Sequence, residues 1–146
     1  LNLELLTLNP HSKGFSNGVY LSKNKECIMI PAPAAGEYLI GFDAQKREEQ
    51  RALIERMFFV PAFDLKAASI AAEIENDKAL MDSIRSGQAI DRQRLRVDVQ
   101  ILAVAIANDA KTVISNDSHM QTLAGERIEV HEVPNIAEQM DLLQET

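Results

Sequence analysis

The sequence predicts an α/β fold in three layers, α/β/α, with a parallel sheet flanked by helices. Three observations predict it. Short apolar, β-branched runs alternate with longer helical patterns, at spacings that suit right-handed crossover connections. Proline or a polar turn residue borders most of these runs, as expected of strands buried between helices. The segment Ile101–Ala107 is apolar all round, the pattern of a helix buried on every side. At 146 residues and 16.2 kDa the chain suits a single domain over residues 1–146. A chain of that length buries about 70% of its unfolded surface, enough for a substantial core.

Element by element, Leu1–Leu8 reads as a short helix or strand closed by the Asn9-Pro10 turn signal. Gly14 and Gly18 leave residues 11–25 an imperfect helix at best. Cys27–Ile30, ended by Pro31 and Pro33, reads as a buried strand. Pro33 is suited to open a helix over Ala34–Ile40 that stops at Gly41. Asp43 is placed to cap a charged helix, Ala44–Met57, and Phe58–Val60 before Pro61 is a second short strand candidate. Asp64 caps a long helix from Leu65 to about Arg85, and Gly87 breaks the pattern. A helix runs from Arg92 to Asp109, then a strand over Thr112–Ser115. A short helix Ser118–Leu123, a strand Ile128–Val130 and a surface helix Asn135–Gln144 complete the series. Three clear strands make a thin sheet for this length, so a further strand is expected to be missing from the chain.

Composition narrows the class. The chain is 46% hydrophobic and 25% charged, with mean hydropathy −0.14, ordinary values for a soluble globular protein. No apolar run approaches the ~20 residues needed to span a bilayer, so no membrane partner is expected. The lone Cys27 excludes an internal disulfide and fits a reducing, cytoplasmic setting. With 15 basic and 22 acidic residues the net charge is −7. Such a chain does not grip nucleic acid by overall charge; only a local basic patch would do so.

Three carboxylates stand where propensity does not demand them. In open α/β sheets, sites form at the carboxyl ends of strands. Glu37 lies just beyond the strand at 27–30, and Asp117 just beyond the strand at 112–115. Asp98 falls inside the buried helix, with Leu95, Ile101 and Leu102 as its neighbours at helical spacing. A charge on an apolar stripe is costly unless paired. Each has a structural alternative. Asp117 suits the cap of the helix after it, Glu37 a solvated position, and Asp98 a salt bridge to Arg94. Taken together, the three carboxylates point to a shared cation, and hard oxygen donors suit Mg²⁺ or Mn²⁺. No cysteine cluster or HExxH spacing points to zinc, and no GxSxG elbow points to serine catalysis.

At these residues the sequence resembles the PIN domain, the nuclease fold that includes VapC-type toxins of toxin–antitoxin pairs. IPAPAAGEYL (Ile30–Leu39) resembles the strand-then-helix segment that supplies one family acid, here Glu37. RVDVQILAVAIANDA (Arg96–Ala110) resembles the helix carrying the next, here Asp98. VISNDSHM (Val113–Met120) resembles the strand-end Thr/Ser-x-Asp motif, giving Ser115 and Asp117. LNLELLTLNP resembles the first helix after the family's opening Asp-x-Asn motif, with Asn2 on its Asn. On that alignment the opening Asp falls one place before Leu1, and the central strand precedes it. Glu4 is the nearest acid and a poor substitute. A shortened chain is the expected explanation.

The resemblance implies metal-assisted phosphodiester hydrolysis on single-stranded RNA. Glu37, Asp98 and Asp117 would be the Mg²⁺ or Mn²⁺ ligands, oriented by Asn2, Ser115 and Asn116. Arg92, Arg94 and Arg96 form the most compact basic group and are expected near the mouth beside Asp98, holding substrate phosphates. An antitoxin protein and a second copy of the chain are the implied partners. The alternative is a PIN-like module that binds protein or RNA without cutting. A phosphorelay receiver is disfavoured, since the last strand runs into His131-Glu132-Val133-Pro134 with no lysine.

Overall fold

The computed structural model describes residues 28–88 and 90–132. Expectations for Leu1–Leu8, Asn9-Pro10, residues 11–25, Cys27 and Asn135–Gln144 lie outside the described residues. The elements in order are α1 (Ala32–Leu39), α2 (Ala44–Met57), α3 (Leu65–Asn76), α4 (Lys78–Gln88), α5 (Arg92–Ala107), β1 (Thr112–Ile114), α6 (Ser118–Ala124) and β2 (Glu129–His131). The architecture is helix-rich α/β with parallel strand pairing.

Local chemistry starts the helices. The Asp43 carboxylate accepts from Lys46 N–H, and Asp64 accepts from Ala67 N–H, both at 2.9 Å. Each satisfies one amide that the first turn leaves without a partner. Helix α1 begins two residues earlier than its sequence pattern predicts, with Pro33 inside its first turn. The long helix expected from Leu65 to Arg85 is instead two. Asp77 leaves helical geometry at φ −75°, ψ 80°, and its carboxylate accepts from Leu80 N–H at 3.0 Å. One aspartate thus ends α3 and caps α4. Gly87 does not break the pattern, for α4 continues through it to Gln88.

Strands β1 and β2 pair in parallel with Val113 opposite Val130, joined by the crossover helix α6. The backbone ends that lead into the site follow directly: Ser115 N–H donates to His131 O at 2.8 Å. The run at 28–30, expected as a full strand, forms a single parallel bridge, Met29 to Phe59. Ile30 N–H donates to Phe59 O at 2.8 Å, Phe59 N–H to Ile28 O at 3.2 Å, and Ala32 N–H to Pro61 O at 3.0 Å. The next bond of this ladder would need an N–H at position 61. Proline has none, so a second bridge is not completed, and only the Ala32 N–H to Pro61 O bond carries the pairing further.

Helix α5 is the axis of the core. Ile101 packs with Ile30, Ala34, Ala35, Tyr38, Ile54 and Phe58. Leu95, Val99 and Leu102 pack with Ala71, Ile74, Ile84, Val113, Met120 and Leu123. The all-round apolar middle of this helix is therefore explained by three separate packing faces, one toward each strand pair and one, at Val104 and Ala107, toward Ala67 of α3. Leu102 is fully buried. Leu102→Ala is expected to lower unfolding stability by about 2–5 kcal/mol, checked by urea denaturation. A loss under 1 kcal/mol would show that α5 is not the axis.

Candidate functional site

Asp98 is carried by α5 one turn from Leu95 and Leu102, so the packing that buries the helix also buries its carboxylate, which is 2% exposed. Burial of this kind demands a partner. It is His119, whose Nε2 lies 2.7 Å from Asp98 Oδ2. His119 sits in the first turn of α6 and is itself buried. The bond joins α5 to α6 across 21 residues of sequence. A salt bridge to Arg94, the structural alternative for Asp98, is not the bond that satisfies it, and His119 is not among the residues that the sequence singles out. The signal was present: a buried acid on α5 requires a donor, and His119 stands two places after the strand-end acid.

Asp117 occupies the cap position of α6, yet its side chain accepts no capping hydrogen bond. The structural alternative therefore does not account for it. Its Oδ1 lies 3.9 Å from an Arg94 guanidinium nitrogen, and its own backbone N–H donates to Ser115 Oγ at 3.1 Å. Ser115 is buried, so its hydroxyl fixes the turn from which Asp117 projects. One potential donor atom each from Asp98, Asp117 and His119 falls within 4.8 Å of the others. That spacing sets two carboxylates, hard oxygen donors that suit a divalent cation, close together beside an imidazole.

Glu37, half-buried on α1, belongs to the same electrostatic environment. Its pKa is raised first by burial, then by repulsion from Asp98 and Asp117, with Arg94 opposing. The Asp98 pKa is also raised. Burial is the main cause; the His119 hydrogen bond and charge oppose it, Asp117 adds repulsion, and Arg94 offsets part of that. Carboxylates that resist ionisation together are placed to gain from a cation.

The three arginines do not act as one group. Arg94 faces Asp117. Arg92 and Arg96 project to another side of α5, where they line a cavity of about 570 Å³ with Glu75, Lys78, Asp82 and Arg85. Arg96 is 3.6 Å from Glu75 there. The expectation that all three stand at the mouth beside Asp98 is corrected to Arg94 alone. Residues 92 and 96 are one helical turn apart, and 94 lies on the opposite side. Asn116 is exposed at the strand end, and Asn2 and Glu4 lie outside the described residues.

With this geometry in place, comparison with known proteins bears on the fold. One solved structure decides it: the crystal structure of VapBC2 from Rickettsia felis bound to a DNA fragment from their promoter. A chain of it matches with a TM-score of 0.64 at 16% identity, covering 91% of this chain and 96% of that chain. The fold is PIN-like. No protein-family model matches the sequence, and no curated protein matches it. Among the described residues, no helix is long and apolar enough to cross a membrane.

Proposed function

We propose that this protein is a metal-dependent endoribonuclease that hydrolyses phosphodiester bonds of single-stranded RNA, in the manner of a VapC-type toxin, within one domain spanning residues 1–146. The observation that carries the reading is Asp117. It stands at the start of a helix, leaves the cap unmade, and meets buried Asp98 and His119 with donor atoms within 4.8 Å.

In this reading Asp98, Asp117 and Glu37 hold Mg²⁺ or Mn²⁺. When bound, the cation supplies an activated water and neutralises charge on the transferring phosphoryl group. Ser115 orients Asp117 through the turn, and Asn116 and Asn2 are the further orienting residues that the family resemblance implies. Arg94, next to Asp117, is the phosphate contact at the mouth, and Arg92 and Arg96 extend that contact only for RNA that wraps past α5. A flexible single strand suits a protein of net charge −7 with one cation at its cleft, since few phosphates need to be gripped.

The neighbouring fold in a VapBC2 assembly supports an antitoxin as partner; a cytoplasmic setting and a homodimer are part of the proposal. The test uses the parent protein with any residues that precede Leu1. Single-stranded RNA should be cut in Mg²⁺ or Mn²⁺ and left intact in EDTA. Binding of RNA with no cutting under any divalent metal would replace this reading with a non-catalytic module.

A further inference from the structure

We propose that His119 is a positioning residue of this centre: it holds one oxygen of Asp98 and fixes the separation of Asp98 from Asp117, leaving the second Asp98 oxygen to the cation. The inference rests on the metal-dependent reading above and goes beyond it by assigning a role to a residue outside the acidic set.

Three observations carry it. The Nε2 to Oδ2 distance of 2.7 Å is that of a strong hydrogen bond, with the proton between the two atoms. Both side chains are almost fully buried, at 5% and 2% exposure, so water does not substitute for either partner. Finally, His119 follows Asp117 by two residues on the same short helix, whereas Asp98 belongs to α5. The bond is therefore a strut between the two elements that present the carboxylates. A carboxylate has two oxygens and about four acceptor sites, so one oxygen serves the strut while the other remains for a metal. Metal-binding carboxylates are commonly held by such outer hydrogen bonds, and their loss typically weakens metal binding about 10–100-fold. Direct ligation through Nε2 would require that nitrogen to give up its proton and leave Asp98 without a donor in an apolar setting, whereas ligation through Nδ1 would keep the bond and is the outcome that the spectroscopic arm of the test below detects.

The test is Mn²⁺ binding to the full protein, followed by electron paramagnetic resonance of the free ion. His119→Gln keeps an N–H donor at comparable reach and is expected to bind within about threefold of wild type. His119→Leu removes the donor and is expected to bind about 10–100-fold more weakly. Equal losses in both variants would overturn the donor role and make the imidazole itself the ligand. Unchanged binding by His119→Leu would overturn the strut while leaving the metal-dependent reading intact. Absence of Mn²⁺ binding by wild type would overturn both. Should His119→Leu fail to fold, electron spin-echo modulation of Mn²⁺ in the wild-type protein decides the matter. Coupling of the size of a directly bound imidazole nitrogen is expected to be absent, and its presence would refute the proposal.

Discussion

Asp117→Asn is expected to lower the single-turnover rate of RNA cleavage on the order of 10³-fold, the share of several kcal/mol of transition-state stabilisation that a metal ligand supports. Folding should be nearly unaffected, because the Asp117 carboxylate makes no capping bond to α6 for the variant to lose. RNA affinity should hold or rise. The substitution removes a negative charge 3.9 Å from Arg94, the cation assigned to substrate phosphate, and leaves that guanidinium more available. The diagnostic result is thus a split: cutting collapses while binding, measured by fluorescence anisotropy in EDTA, persists. Cleavage retained within tenfold would remove Asp117 from the metal site.

Much of the scaffold was legible because its causes are local. Asp43 and Asp64 announce helix starts through their position before periodic segments, and both make the expected capping bonds. The all-round apolar stretch in α5 announces a central helix, since only packing on several sides consumes residues such as Ile101, Leu102 and Val104 together. Asp77 escaped notice for the opposite reason. Apolar periodicity runs across it from α3 into α4, and only its carboxylate bond to Leu80 N–H reveals the break. The single bridge at Met29 depends on a missing amide in a partner 32 residues away, Pro61 opposite the run, which no window of sequence around Met29 contains.

The site was legible in part. Strand-end placement marked Asp117, and an acid on an apolar stripe marked Asp98, because each violates a local expectation. The partner of Asp98 did not violate one. His119 lies among Met120 and Leu123 on a short helix, where a histidine reads as ordinary core, and its contact with Asp98 spans 21 residues. The arginines show a different limit. Their closeness in sequence hid a separation that helical periodicity itself requires, with Arg94 on the site face and Arg92 and Arg96 beside Glu75.

The same electrostatics make stability depend on pH in a direction that a metal should reverse. Asp98 has a pKa raised above its ordinary value, chiefly by burial, and Glu37 is raised by burial and by Asp98. A folded state that holds protons more tightly than the unfolded chain is stabilised below the ordinary carboxylate range, near pH 4, and loses that stabilisation as pH rises through the raised values. In EDTA, unfolding stability should therefore fall from mild acid toward neutrality. A divalent cation binds the ionised carboxylates, so Mn²⁺ at 100 times its Kd should add about 2.7 kcal/mol near pH 7 and less in acid. Asp98→Asn separates the causes. Its side-chain oxygen still accepts from His119, the buried charge is gone, and the protein in EDTA should melt at or above the wild-type temperature with a shallower pH slope. Glu37 retains the remainder of the slope. Stabilisation by Mn²⁺ should vanish in this variant. An Asp98→Asn protein that unfolds would instead make the charged Asp98–His119 pair a structural tie between α5 and α6, and one that still gains full stability from Mn²⁺ would move the cation away from Asp98.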